Sequence, residues 1–268
     1  MHPLLNTAVK AARRAGSLIN RAALDRGALK VHAKGANDFV TQVDRAAEAA
    51  IIDLIHAAYP EHAILGEESG ALERGKAEYR WIIDPLDGTT NFIHGFPQYC
   101  VSIAVQHRGA TAHGVVYDPG RNELFTASRG AGAHLDNRRM RVSKARALEG
   151  ALIATGFPYR ANTRYLDAYL EMLRAVTLHA AGVRRPGAAA LDLAYVAAGR
   201  VDAVWEIGLS AWDTAAGTLL IQEAGGRIGT LSGAEYRQAG HVVAGTPKVY
   251  AALIELLAPH VPAELRAS

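Results

Sequence analysis

The feature that most constrains this chain is a change of pattern near residue 148. Before it, Tyr99–Gln106, Ala112–Tyr117 and Glu123–Ala127 are short apolar runs joined by Arg108-Gly109 and by Asp118-Pro119-Gly120. Runs of that length around such turns predict an antiparallel meander. After residue 148 strands and helices alternate. Ala151–Thr155, a short run near Val183, Val201–Ile207, Arg227–Leu231 and His241–Ala244 read as strands. Thr163–His179, Ala188–Ala198, Thr214–Ala224 and Lys248–Leu257 read as helices. Alternation of that kind implies layered α/β packing. The expectation is therefore an α+β subdomain over residues 1–148 packed closely on an α/β subdomain over 149–268, with a site in their shared cleft.

The first half opens on a helix, because Leu4, Leu5, Ala8, Val9, Ala12, Ala15 and Ile19 share one face. Lys30–Asp38 reads as a polar loop. Thr41-Gln-Val-Asp44 has the form of a capping box and predicts a helix through Ala58, stopped by Pro60. Ala63–Glu67 and Tyr79–Asp84 read as strands flanking a segment rich in glycine and charge.

Composition narrows the function class. Half of the 268 residues are hydrophobic and 21% are charged, as in a globular protein with a large core. The net charge is only +3, and no block of like charge is long enough for a nucleic-acid arm or a membrane patch. Lys10, Arg13, Arg14 and Arg21 interrupt every candidate targeting segment, and no apolar run is long enough for a membrane helix, so a cytoplasmic location is expected. The single cysteine, Cys100, reads as a buried inert thiol.

Acidic residues stand at the ends of these elements: Asp38 with Asp44, Glu67 with Glu68, Asp84 with Asp87, and Asp213. The most telling run is Trp81-Ile-Ile-Asp84-Pro-Leu-Asp87-Gly-Thr89-Thr90. An apolar strand ends at Asp84, Pro85 stops the ladder, and Asp87-Gly88 turns the chain. Two carboxylates three residues apart can converge on one point, which like charges avoid unless a cation neutralises them. The amides from Gly88 to Thr90 can then hold an anion, and a hard cation beside them suits phosphate chemistry. Each cluster also has a plain structural reading: Asp84 and Asp87 as turn formers, Glu67-Glu68 as a solvated strand end, Asp213 as a helix N-cap, and Asp44 as the partner of Thr41. Taken together, without histidine or cysteine among them, they favour an all-oxygen site for Mg²⁺.

At this point the chain resembles the inositol monophosphatase family. Trp81–Thr90 matches the first family motif, and Trp212-Asp213-Thr-Ala-Ala-Gly217 the second. Lys34…Asp38-Phe-Val-Thr41-Gln-Val-Asp44, Gly66-Glu67-Glu68-Ser69, Thr155-Gly-Phe-Pro158, Gly187-Ala-Ala-Ala-Leu-Asp192 and Trp205-Glu206-Ile-Gly208 follow in family order. The likeness covers nearly the whole chain and lies nearest the bacterial branch.

The resemblance implies a five-layered αβαβα sandwich, a homodimer, and Mg²⁺-dependent, Li⁺-inhibited hydrolysis of phosphate monoesters, most typically inositol 1-phosphate. By position, Glu67, Asp84 and the carbonyl of Leu86 would hold one ion. Asp84, Asp87 and Asp213 would hold a second, and a third would sit near Glu67. Glu67 and Thr89 would place the attacking water, with Asp44 on the threonine hydroxyl. Gly88 and Thr89 would offer amides to the phosphate. Glu206 and the backbone at Ala189 would bind hydroxyls of the leaving group. None of the 11 histidines, His94 included, is given a catalytic role. Ala188, Ser210 and Ala211 depart from the commonest family residues without removing a ligand. Two alternatives stay open: the same chemistry on fructose 1,6-bisphosphate, histidinol phosphate, NADP or adenosine 3′,5′-bisphosphate, or a non-catalytic role on RNA or a transcription complex. Arg138-Arg139 and Arg184-Arg185 motivate the latter.

Overall fold

The structure, a computed structural model, describes residues 2–35, 38–75, 77–237 and 239–266. In chain order its elements are α1 (Pro3–Ala23), β1 (Val31–Gly35), β2 (Asp38–Thr41), α2 (Gln42–Ala58), β3 (Ala63–Gly66), β4 (Gly70–Leu72), β5 (Tyr79–Asp87), α3 (Thr89–His94) and β6 (Cys100–His107). They continue with β7 (Ala110–Asp118), β8 (Glu123–Ser128), β9 (Gly132–Leu135), β10 (Arg138–Arg139), β11 (Leu152–Thr155), α4 (Leu166–His179), β12 (Gly182–Arg184) and α5 (Ala189–Ala197). The last are β13 (Ala203–Leu209), α6 (Ala211–Glu223), β14 (Arg227–Gly229), β15 (Gly240–Gly245), α7 (Pro247–Leu257) and α8 (Ala263–Arg266).

Two large sheets organise the chain. One has eight strands in the order β10-β9-β8-β7-β6-β5-β3-β4, the other five in the order β12-β11-β13-β15-β14. Side chains alternate across each sheet with period two, and that alternation sorts the core into layers. Trp81, Ile83, Val101, Ile103, Val105 and Val115 pack with α1 and α2 on the outer face of the large sheet. Ile82, Cys100, Ala104 and Val116 face the other way, onto α5 and α6. In the smaller sheet Ala154, Val204 and Ala244 join that same middle layer, while Ile153, Trp205 and Val243 pack with α4 and α7. The result is an αβαβα sandwich, with α5 and α6 buried between the sheets. Position in the alternation already aims two carboxylates: Asp84, two residues past Ile82, and Glu206, two past Val204, both face the middle layer.

The meander forms as its turns predict, with Arg108 and Gly109 both at positive φ in a two-residue hairpin. Several expectations need correction. The expected loop Lys30–Asp38 instead contains β1 and the first residue of β2, which form an antiparallel hairpin pairing Val31 with Thr41 and Ala33 with Phe39. Pro85 does not stop the ladder. β5 runs on to Asp87, which pairs with Cys100 across a register shift that begins after Asp84. A bulge admits a proline that a regular central strand would reject. Asp213 is not the N-cap of α6, because Ser210 is, and Asp213 takes the N3 place in a capping box.

The middle layer is tight. A Cβ on Gly114 of β7 would lie 3.0 Å from the carbonyl oxygen of Ala216 and 3.1 Å from its Cα, so α6 rests directly on the strand backbone. Gly114→Val should therefore destabilise the protein by about 1–3 kcal/mol through overpacking, read as a lower urea midpoint with an unchanged slope. An unaltered midpoint would show that α6 has room to move.

Candidate active site

Each acidic side chain reaches the site for a local reason. Asp44 sits in the first turn of α2, where its Oδ2 accepts the amide of Thr41 at 2.8 Å and the Thr41 hydroxyl at 2.5 Å. Its other oxygen accepts the Thr89 hydroxyl at 2.8 Å. One oxygen of Asp44 thus serves the capping box while the other holds the Thr89 hydroxyl. Glu67 follows β3, and its amide donates to the carbonyl of Ile83, which continues the parallel pairing and sets Glu67 beside Asp84.

Asp84 is 1% exposed, and its Oδ1 accepts the amide of Leu86 at 3.0 Å. Asp87, brought round by the bulge, accepts the amide of Ala190 at 2.8 Å on Oδ2. It thereby caps the N-terminus of α5, where a negative charge is favoured. Asp213 accepts the Ser210 amide at 2.6 Å. Ligand oxygens of Asp84, Asp87 and Asp213 all lie within 4.8 Å of one another. Gly88 caps α3 at φ +87°, and a Cβ there would meet the carbonyl oxygen of Gln98 at 2.7 Å. The turn therefore requires glycine.

These groups line one cleft of about 700 Å³. Its walls include Glu67, Asp84, Leu86, Asp87, Gly88, Thr89, Ala189, Glu206 and Asp213, with His94 exposed. Asp44 does not line the cleft and reaches it through Thr89. The side chain of Asp38 lies outside the described residues.

Crowding shows in the acidities. Burial raises Asp84 well above the ordinary carboxylate range, and the charges of Glu67, Asp87 and Asp213 push it the same way. Burial lifts Asp87 to about 7, against the opposing amide of Ala190. Burial, then the charges of Asp87 and Asp213, lifts Glu206 to about 8, with Arg185 opposing. Three convergent oxygen donors, two of which, Asp84 and Asp87, resist ionisation by themselves, are the environment a hard divalent cation stabilises. The donor set fits Mg²⁺ and offers nothing for softer metals.

Sequence reasoning missed one carboxylate that shapes the site. Glu48 on α2 is 3% exposed and accepts the amides of Glu68 at 3.0 Å and Ser69 at 2.7 Å, so it fixes the turn that carries Glu67. A signal existed, since Glu48 falls four residues after Asp44 and hence on the same buried helix face. Cys100 is buried as expected, yet its thiol also donates to Asp87 Oδ2 at 3.8 Å. Asn91 Nδ2 donates to the carbonyls of Gln98 and Pro186 at 2.8 Å and of Gly187 at 3.2 Å, tying α3 to the approach to α5.

The pattern of the inositol monophosphatase family matches residues 1–263. The chain belongs to this family. It is 54% identical over 270 residues to the Nus factor SuhB of Pseudomonas aeruginosa, covering 99% of this chain and all of that one. Among solved structures, an extragenic suppressor protein suhB from Bartonella henselae matches with a TM-score of 0.92 at 43% identity, over 96% of this chain and 98% of that one. An inositol monophosphatase from Anabaena matches with a TM-score of 0.86 at 38% identity, over 97% of each chain. The five layers are those the family resemblance implied.

The acidities give a signed prediction. A carboxyl whose folded pKa is raised weakens the fold as it ionises, so the cation-free protein should lose stability as pH rises from 3.8 through about 7. Mg²⁺ should then raise the Tm more at pH 8 than at pH 5. Asp84→Asn should raise the Tm without Mg²⁺ at pH 8 by about 2–4 °C and remove most of the Mg²⁺ increment. Calorimetry with and without chelator checks this; an increment equal at both pH values and retained in Asp84→Asn would contradict it.

Proposed function

We propose that this phosphatase-family chain is a Mg²⁺-dependent phosphomonoesterase acting on polyol phosphates, with inositol 1-phosphate as the preferred substrate. The observation that carries the reading is a single cleft lined both by the converging carboxylates of Asp84, Asp87 and Asp213 and by the buried carboxylate of Glu206. Residues 1–148 supply Glu67, Asp84, Leu86 and Asp87; residues 149–268 supply Asp213, Ala189 and Glu206. Glu67, Asp84 and the carbonyl of Leu86 would hold one Mg²⁺, Asp84, Asp87 and Asp213 a second, and Glu67 would stand near a third. A divalent cation so held supplies Lewis-acid chemistry, polarising phosphoryl oxygen and making water a stronger nucleophile.

The chain's own groups do the rest. Because the Thr89 hydroxyl donates to Asp44, its lone pairs are left to accept a hydrogen bond from the attacking water. Glu67 would accept a hydrogen bond from the water's other O–H and so aim it. The amides of Gly88 and Thr89 donate to the phosphate as its charge shifts. Glu206 accepts hydroxyls of the leaving group. Neutralising Asp87 and Asp213 removes two of the causes that raise Glu206, so occupancy of the acidic cluster favours the hydroxyl-accepting form of Glu206. A homodimer and inhibition by Li⁺ belong to the same reading, as does a cytoplasmic location; among the described residues no helix is long and apolar enough to cross a membrane.

A second reading, binding to RNA or a transcription complex beside catalysis, is favoured by the Nus factor name of the Pseudomonas aeruginosa relative. The exposed Arg138, Arg139, Arg184 and Arg185 suit it. Affinity for RNA that falls steeply with salt supports this reading, and absence of binding at low salt removes it.

Phosphate release from a panel of esters tests the first reading. Turnover should be strongest on inositol 1-phosphate and vanish with chelator. Asp84→Asn should cost more than about a hundredfold in kcat on every ester. Glu206→Gln should raise KM for inositol 1-phosphate about tenfold while sparing phenyl phosphate. A different preferred ester would move the substrate, and activity in folded Asp84→Asn would remove the metal assignment.

A further inference from the structure

Gly156 directly follows β11 and is buried, yet its φ lies outside the left-handed region, so backbone conformation gives no reason for glycine there. The reason is a neighbour. A Cβ on Gly156 would overlap Oε1 and Cδ of Glu206 and lie 2.8 Å from its Cγ; all three nearest atoms belong to that one side chain. Register explains the contact. β11 and β13 run parallel with Thr155 beside Trp205, so the next residues along, Gly156 and Glu206, are neighbours on the middle-layer face. Where most strand residues would stand side by side, the Glu206 carboxylate lies down over bare backbone. The following residues, Phe157 and Pro158, line the cleft with Glu206, so this seat is part of the substrate pocket wall.

We propose that Gly156 is a positioning residue for leaving-group specificity, its missing side chain being the seat from which Glu206 accepts the hydroxyls of a polyhydroxylated leaving group. The inference rests on the polyol-phosphate reading above and deepens it. Any larger residue at 156 evicts the carboxylate. All three atoms nearest a Cβ at 156 belong to Glu206 and none to Glu67, Asp84, Asp87 or Asp213, so hydrolysis of an ester that offers no alcohol hydroxyls persists.

The test compares Gly156→Ala, Glu206→Ala and the double variant. Its readout is the ratio of kcat/KM for inositol 1-phosphate to that for phenyl phosphate, whose leaving group carries no alcohol hydroxyl. Gly156→Ala should lower the ratio about ten- to a hundredfold, the loss of hydrogen bonds to a charged acceptor, and should do so through KM for inositol 1-phosphate. Added to Glu206→Ala, the same change should alter the ratio by less than about twofold, because the group it displaces is already gone. An unchanged ratio in Gly156→Ala, or a loss repeated in the Glu206→Ala background, overturns the proposal. Failure of the polyol-phosphate reading looks different: the wild-type protein itself shows no preference for inositol 1-phosphate, and the inference falls with it. If Gly156→Ala alone does not fold, a folded double variant supports the proposal, since the space has been vacated, and an unfolded one overturns it.

Discussion

Desolvation of converging carboxylates, reinforced by their mutual repulsion, is the constraint on which the rest of this structure depends. Asp84, Asp87 and Asp213 place ligand oxygens within 4.8 Å of one another, and the setting disfavours ionisation of Asp84 and Asp87. Such a cluster survives only where backbone dipoles share the burden. Asp84 has the amide of Leu86, Asp87 the amide of Ala190 at the start of α5, and Asp213 the amide of Ser210 at the start of α6. Each acid is held by a chain reversal or a helix beginning, and those in turn are held by the two sheets. The five-layer packing and the acidic site are one arrangement, because the middle helices must start where the carboxylates converge.

The same economy runs through the groups around the cluster. Asp44 caps α2 with one oxygen and orients Thr89 with the other. Glu48, on the same helix face, pins the turn that presents Glu67. Helix α2 therefore positions both groups assigned to the attacking water without itself entering the cleft. In the same cleft, β13 delivers Glu206 by strand alternation alone, just before its own register shift. The two carboxylate-bearing strands thus share a design: regular pairing up to the cleft-lining carboxylate, irregular backbone after it.

Much of this was legible in the sequence, for identifiable reasons. Amphipathic α1, the Thr41–Asp44 capping box, the meander and the strand–helix alternation are local patterns with local causes. What escaped reading depends on contacts between distant segments. In the β1–β2 hairpin Val31, His32 and Ala33 are exposed, and β2 is only four residues long, too short for its pattern to announce a strand. Pro85 ordinarily ends a strand, and only the bulge opposite Cys100 lets β5 continue. The burial of Glu48 is visible only once α2 is laid against β3. Gly156 looks like a turn glycine until β13 is placed beside β11. The acidic residues stand out in the sequence as carboxylates at element ends, and the family motifs imply their separate roles, whereas their mutual support comes from geometry.

The most direct test of the central claim is anomalous diffraction from crystals of this protein grown with Mn²⁺ in place of Mg²⁺. The account predicts strong peaks in contact with Asp84, Asp87 and Asp213, with Glu67 on a neighbouring peak. Ordered carboxylates without a peak among them, or manganese bound only elsewhere, would contradict it.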